Sequence, residues 1–307
     1  MGITQAYSSA LRSTEQTKVP MFASLIGVGV NVVLNWILIF GEFGFPAMGV
    51  NGAALATTIA RLVEVVFIVG VVYLSKNQVA AKFKELIDFN METLKMYFKT
   101  SWSVIVNELV FSIGSAAYAV AYAKISTDAS ATMQICTTLI NMFFIFLTGI
   151  GTAAAIMIGN KIGAGEEDTA HTYASHVSKL TPFVGIALGV AMWLLAPIVV
   201  SWFNIKPETY VAAIKVLRVM AVFMPLRTFN AIMIIGVFRG GGDTTYSMLV
   251  QAGTIWLYSV PLAFLGAVAF KLPVYSVFFL VCTEEIVKIP FELARLKSGK
   301  WLKNLIA

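Results

Sequence analysis

The residue with the clearest chemical potential is Glu108, about a third of the way along the apolar stretch from Ser101 to Lys124. As a helix this stretch can cross the roughly 30 Å of hydrocarbon in a bilayer. A charged side chain near the centre of a membrane helix costs about 2.5 to 3.5 kcal/mol on insertion scales, so it usually faces a partner or a water-filled cavity. Such a carboxylate can bind a proton or a cation and exchange one for the other. The alternative is a structural ion pair with Arg227, which lies well inside another apolar run.

A second polar group is the pair Asn31 and Asn35 in the apolar run GVGVNVVLNWILIF. Residues four apart share one face of a helix, so the two amides can act together. One interpretation is hydrogen bonding between the helices of a membrane bundle.

The composition identifies a polytopic membrane protein. Of the 307 residues, 58% are hydrophobic and only 12% are charged, whereas soluble domains have about 25% charged residues. The net charge of +6 does not indicate a nucleic-acid partner, because the basic residues fall between apolar runs and form no stripe. The two cysteines, Cys136 and Cys282, lie in separate apolar runs without metal-ligand spacing, which predicts free buried thiols.

The elements that must position these residues are apolar runs of spanning length, none of which alternates like a barrel strand. The predicted fold class is therefore all-α, with about eight transmembrane helices. The runs lie at about 20 to 41, 50 to 74, 101 to 123, 132 to 158, 180 to 203, 211 to 238, 246 to 270 and 273 to 294. Most Lys and Arg between them fall on one side, and only Lys124, Lys206 and Lys271 fall on the other. This asymmetry predicts a multi-pass protein of the cell membrane, inner or plasma, with both termini in the cytoplasm.

The stretch 76–99 is the only long charged connector in the sequence. It predicts a cytoplasmic amphipathic helix that joins two bundles. Residues 1–75 would then hold two spans and residues 100–294 six, and residues 295–307 would form a basic cytoplasmic tail.

An internal repeat relates the two bundles. A shift of 227 residues places Arg12 on Arg239, Thr17 on Thr244 and Pro46 on Pro273. If the repeats are equivalent, the first begins well before the first residue. The sequence is therefore expected to be N-terminally truncated, with one complete six-helix repeat and the last two helices of another.

Pairs of opposite charge near one another in sequence are predicted to be structural. They are Arg61 with Glu64 and Glu284 with Lys288, whereas Arg239 and Asp243 are predicted to hold a tight cytoplasmic turn at the glycines 240–242. Asn107 is expected to point away from Glu108, because consecutive helical residues differ by about 100 degrees.

Nine motifs occur in order along the chain: SALRSTEQTKVPM at 9–21, MGVNGAALATTIARLVE at 48–64, NEL at 107–109, IGNKIGAGEEDTA at 158–170, MPLRTFN at 224–230, FRGGGDT at 238–244, VPL at 260–262, EEIVK at 284–288 and RLKSGKWLKNL at 295–305. Together they resemble the multidrug and toxic compound extrusion (MATE) family of efflux transporters. The resemblance covers essentially the whole chain. It implies a two-lobe fold of twelve helices, of which this chain resembles helices 5 to 12, so that its first lobe is incomplete.

The resemblance implies a secondary active transporter rather than an enzyme. It would be an antiporter that exports cationic or amphiphilic drugs by alternating access, with Na⁺ or H⁺ as coupling ion and no other cofactor or metal. In the family, an ion and proton site of the first lobe uses two Asn and a Thr, which map to Asn31, Asn35 and Thr58, and an acid on a helix that this sequence does not contain. Glu108 would be the coupling residue of the second lobe. The candidates for the substrate cavity are Arg227, Asn230, Tyr118 and Tyr122, although aromatic residues in spans more often serve packing.

Two alternatives remain open from the sequence. One is a lipid-linked saccharide flippase of the same broad fold, which a cationic, Arg-lined cavity would favour. The other is a truncated fragment that does not transport, or that works only with a separate fragment or second copy supplying the missing helices. The expected partners are small-molecule substrates and the lipid bilayer, without a nucleic acid.

Overall fold

A computed structural model describes residues 2–82, 85 and 90–303. Within these residues the regular secondary structure is helical, and there is no strand. The helices of these ranges are α1 (Gly2–Ser13), α2 (Lys18–Phe40), α3 (Val50–Leu74), α4 (Met91–Ile125), α5 (Thr127–Gly163), α6 (Glu167–Val200), α7 (Pro207–Phe238), α8 (Thr244–Ala269), α9 (Val274–Cys282) and α10 (Glu284–Lys297). A short 3-10 helix, Glu42–Gly44, follows α2. The predicted all-α class is confirmed.

Seven helices in the described part of the chain, α2 to α8, are long and apolar enough to cross a membrane. The eighth predicted run, 273–294, is instead divided into α9 and α10 at Thr283. The Thr283 hydroxyl donates to the Leu280 carbonyl at 2.5 Å and so competes with the backbone bonds of a continuous helix. Two acids follow at once, Glu284 and Glu285, and they begin a helix of much lower hydrophobicity.

The chain forms two compact units, Met1–Met91 and Glu92–Ala307. The predicted connector, 76–99, contains the division between them. Its residues 91–99 are the first turns of α4 rather than a separate surface helix. Residues 83, 84 and 86–89 of the connector lie outside the described residues.

In the first unit, α2 and α3 pack side by side, and Leu11 of α1 is buried near their ends with Ile68 and Val72. The predicted pair of Arg61 with Glu64 is confirmed, with an N···O distance of 2.7 Å.

In the second unit, α6 and α7 make the closest helix pair, and glycines allow their backbones to meet. A Cβ at Gly185 would lie 2.5 Å from the Pro225 Cα, and a Cβ at Gly189 would lie 2.5 Å from the Ala221 carbonyl oxygen. Small residues four apart are the usual means of close helix approach in membranes.

The predicted basic tail is anchored rather than free as far as residue 303. Trp301 is fully buried, and its indole N–H donates to the Leu296 carbonyl at 3.2 Å. The Lys303 amide donates to the Gly241 carbonyl at 2.9 Å, so the segment after α10 covers the glycine turn after α7. Residues 304–307 lie outside the described residues.

Candidate functional site

The second unit contains a cavity of about 690 Å³ between α4, α5 and α7 to α10. Its wall combines aromatic and apolar side chains with charged ones. Three acids and three bases line it: Glu108, Glu284, Glu285, Arg227, Arg239 and Lys288. Such an amphiphilic wall is typical of a small-molecule site.

Glu108 forms an ion pair with Arg239, with an N···O distance of 2.7 Å. The expected alternative partner was Arg227, and that pairing is wrong. The side chains are 59% and 24% exposed, so the pair lies on the open wall of the cavity. Asn107, beside Glu108, is buried, as expected for a neighbour that points away.

A π-helical segment directly precedes Arg239, the partner of Glu108. The last six residues of α7, Met233–Phe238, form π-helix, and Arg239 follows directly. The wider π turn changes the direction of the side chains after it, and such segments are frequent at functional sites. Of the two residues predicted to hold the glycine turn, Asp243 pairs with Arg295 at 2.6 Å and with Lys303, whereas Arg239 pairs with Glu108.

A buried ionic cluster lies at the start of α10, on the wall of the cavity. The Lys288 ammonium lies 2.9 Å from the Glu284 carboxylate, which confirms the predicted pair, and 3.6 Å from the Glu285 carboxylate. Glu284 is only 8% exposed, and Glu285 and Lys288 are each only 5% exposed. Both acids are in the first turn of α10, where the helix dipole favours negative charge.

Side chains of α7 hold Glu285 from the opposite side. Arg227 Nη1 lies 3.5 Å from Glu285 Oε1. The Asn230 amide nitrogen donates to Glu285 Oε2 and to the Glu285 backbone carbonyl, both at 2.8 Å. The Arg227 guanidinium also lies 5.7 Å from the centre of the Phe144 ring. Both α7 residues line the cavity, and their role in substrate binding stays a prediction.

The two predicted tyrosines of α4 also line the cavity, next to the ionic cluster. The Tyr118 hydroxyl donates to Glu284 Oε2 at 3.2 Å. Tyr122, one helical turn further along α4, is buried. The structure therefore places Arg227, Asn230 and Tyr118 in contact with the two acids of α10.

The amide pair Asn31 and Asn35 belongs to the first unit. Asn35 donates to the Asn31 side-chain oxygen at 3.0 Å, and Asn31 donates to the Thr57 hydroxyl of α3 at 3.3 Å. Thr58, the predicted third member, donates to the Ala54 carbonyl of its own helix at 2.9 Å. Thr57 therefore replaces Thr58, and the contacts are the interhelical hydrogen bonds of the simpler interpretation.

Sequence reasoning assigned no role in the site to Glu285 or to Glu292, and it took Lys288 as a purely local partner. Glu292 is 0% exposed, and its carboxylate oxygens have no hydrogen-bond partner among the described residues. The available signal was the spacing of Glu284, Lys288 and Glu292, which places three charged residues on one face of a helix at intervals of four.

Comparison with known proteins identifies the family. The MatE family model matches residues 103–265, more than half of the chain, which include α5 to α7 and most of α4 and α8. This chain belongs to the MatE family. Members of this family are multi-pass membrane proteins, in agreement with the apolar helices α2 to α8.

Several relatives match the MatE chain over nearly its whole length. A probable multidrug resistance protein NorM of Thermotoga maritima is 24% identical over 99% of this chain and 65% of the relative. An uncharacterized transporter, YisQ of Bacillus subtilis, is 25% identical over 99% of this chain and 67% of the relative. The MATE transporter VcmN of Vibrio cholerae, solved as a mutant, superposes with a TM-score of 0.84 at 16% identity, over 98% of this chain and 67% of that one. The chain thus spans about two thirds of the length of these relatives.

Proposed function

We propose that this MatE protein is a secondary active transporter that exports cationic or amphiphilic small molecules in exchange for Na⁺ or H⁺. The observation that carries the proposal is an exposed carboxylate, Glu108, on the wall of a cavity of about 690 Å³ that also holds aromatic side chains. The transporter names of its relatives support it, and give no reason to expect an enzyme.

The exchange follows from the Glu108 ion pair. A cation that enters the cavity competes with Arg239 for the Glu108 carboxylate, whose side chain is largely exposed. Protonation of Glu108 cancels its charge and weakens its hold on that cation. If access alternates between the two sides of the membrane, a proton or Na⁺ bound from outside thereby releases the exported molecule.

Charge balance in the cavity does not favour the flippase alternative. The three basic side chains of its wall each have an acid nearby: Arg239 lies 2.7 Å from Glu108, Lys288 lies 2.9 Å from Glu284, and Arg227 lies 3.5 Å from Glu285. A site for a polyanionic lipid-linked sugar would be expected to carry an excess of positive charge.

The proposal also includes the orientation of the protein in the membrane and a role for the first unit in ion coupling. The protein lies in the cell membrane with both termini in the cytoplasm, as the distribution of Lys and Arg predicts. Ion coupling in the first unit would involve Asn31 and Asn35, with Thr57 rather than Thr58 as the hydroxyl that contacts them.

Ethidium efflux from cells without their own pumps tests the proposal. The arms are this chain alone and the chain co-expressed with a first-lobe fragment, each as wild type, Glu108→Gln and Glu167→Gln. Glu167 is an exposed acid in the first turn of α6 and serves as the matched control. Efflux that Glu108→Gln abolishes and Glu167→Gln preserves is the expected result. Efflux that survives Glu108→Gln would refute the role of Glu108, and no efflux in any arm would refute drug export.

A further inference from the structure

A buried acid outside the cavity points to a coupling device on α10. Glu292 is fully buried and both of its carboxylate oxygens lack a hydrogen-bond partner in the described part of the chain. An ionised carboxylate without a partner is very costly in such a place, so Glu292 holds a proton in this conformation. A neutral acid that is buried next to a charged cluster is a group that can change the charge of that cluster.

Lys288 connects Glu292 to the cavity. It lies one helical turn before Glu292 and one turn after Glu284, so the three side chains share a face of α10. Its ammonium has three donors on a flexible stem and holds Glu284 and Glu285 at present. Among the charges that act on Glu292, Lys288 stabilises its ionised form and Glu285 opposes it.

We infer that Glu292 is a proton-binding site that controls, through Lys288, whether Glu284 and Glu285 can hold a cation in the cavity. The inference rests on the proposed function and adds a coupling residue to it. With Glu292 protonated, Lys288 and Arg227 together neutralise the two acids, which opposes binding of a cationic ligand. When Glu292 loses its proton to bulk water, Lys288 moves toward the new carboxylate, and one negative charge of the two cavity acids becomes available to a cation.

The exchange keeps the buried charge constant. In the observed state the negative charges of Glu284 and Glu285 balance the positive charges of Lys288 and Arg227, and Glu292 is neutral. After exchange, the charge of ionised Glu292 balances that of the bound cation. One proton leaves for each cation that enters, so neither state has an uncompensated charge in the bundle, where such a charge is expensive.

A second observation points to a ligand at these acids. The Asn230 side-chain nitrogen donates to Glu285, and its buried side-chain oxygen has no hydrogen-bond partner in the described structure. Asn230 is only 2% exposed. An unpaired amide oxygen on a residue that lines the same cavity as Glu284 and Glu285 suits an ammonium or another cationic group.

The other charged and titratable groups near α10 are accounted for by contacts of their own. Arg227 of α7 faces Glu285. Tyr246 of α8 donates from its hydroxyl to the Phe291 carbonyl, and Arg295 at the end of α10 pairs with Asp243. Lys288 therefore remains the cation positioned to respond to Glu292.

The test uses the purified full chain in detergent and the cation tetraphenylphosphonium. Calorimetry gives its Kd between pH 5.5 and 8.5, and a pH indicator in weak buffer counts the protons released on binding. By linkage, exchange with one proton tightens binding as pH rises by up to about tenfold per pH unit. The variants are Glu292→Gln, which mimics the protonated acid and so should fold normally, Glu292→Asp, and Glu167→Gln as control.

Glu292→Gln is expected to release about one proton fewer per bound cation than wild type and to weaken binding above neutral pH, with Glu292→Asp and Glu167→Gln close to wild type. Equal proton release in wild type and Glu292→Gln would overturn the inference and leave the proposed export of cations intact. Failure of every variant, wild type included, to bind the cation would overturn the proposed substrate class and the inference with it.

Discussion

Lys288 provides the sharpest test of how charge holds the second unit together. Its side chain is buried and lies 2.9 Å from Glu284 and 3.6 Å from Glu285. Lys288→Met keeps most of the apolar stem but removes the charge, which leaves Arg227, 3.5 Å from Glu285, as the remaining cation of the cluster. Removing one partner of a buried ion pair costs about 3 to 5 kcal/mol, because the other charge is left uncompensated.

The expected change in melting temperature follows from this free energy. In a domain of 150 to 250 residues, 1 kcal/mol shifts the Tm by about 2 to 4 °C, so Lys288→Met should lower the Tm by about 6 to 20 °C. The matched control is Lys206→Met, because Lys206 also forms an ion pair, 3.1 Å from Asp128, but with side chains that are 70% and 51% exposed. Exposed pairs contribute about 0.2 to 1 kcal/mol, which corresponds to a Tm change of at most about 4 °C.

The assay is thermal unfolding in detergent, followed by tryptophan fluorescence at one fixed scan rate, since unfolding of such proteins is often irreversible. The double variant Lys288→Met with Glu284→Gln removes one of the uncompensated acids and should recover part of the lost Tm. Equal Tm values for the Lys288→Met and Lys206→Met variants would refute the assignment of a buried, mutually dependent charge cluster.

Two further predictions concern packing. Gly189→Ala places a Cβ 2.5 Å from the Ala221 carbonyl oxygen and should destabilise the α6–α7 pair by about 1 to 3 kcal/mol. The control is Gly149→Ala, whose Cβ meets nothing within 4 Å, so it should be neutral or stabilising. Equal unfolding temperatures for the two variants would contradict the close packing. Trp301→Ala empties a fully buried site and should cost about 3 to 5 kcal/mol in the same assay. The exposed Trp202→Ala is its control, with a change within about 0.5 kcal/mol, and a similarly small effect at Trp301 would show that the segment after α10 is not anchored.

The architecture could be predicted from the sequence where the determining forces are local. Runs of apolar residues fix the spanning helices, and the spacing of Arg61 and Glu64 or of Glu284 and Lys288 fixes ion pairs within one helix. The division of the last run at Thr283 was missed, because a window that averages hydropathy over the run conceals one side-chain hydrogen bond to the backbone.

The site could be predicted only in part, because its contacts join residues that are far apart in sequence. Glu108 was found as an isolated acid in an apolar run, but its partner Arg239 depends on a π-helical segment that hydrophobic periodicity does not reveal. Glu285 was overlooked because its partners, Arg227 and Asn230, come from another helix.

The two acidic groups of the cavity differ in what a ligand can do to them. The Glu108 and Arg239 side chains are 59% and 24% exposed, so an entering cation can reach the Glu108 carboxylate and compete with Arg239. Glu284, Glu285 and Lys288 are buried, so a cation cannot displace Lys288 unless another negative charge receives it. The more exposed pair is therefore suited to the first contact with a cation, and the buried cluster to an exchange that requires Glu292. Because protonation of Glu108 and protonation of Glu292 both oppose cation binding, Glu108→Gln and Glu292→Gln should each reduce the proton release that accompanies binding.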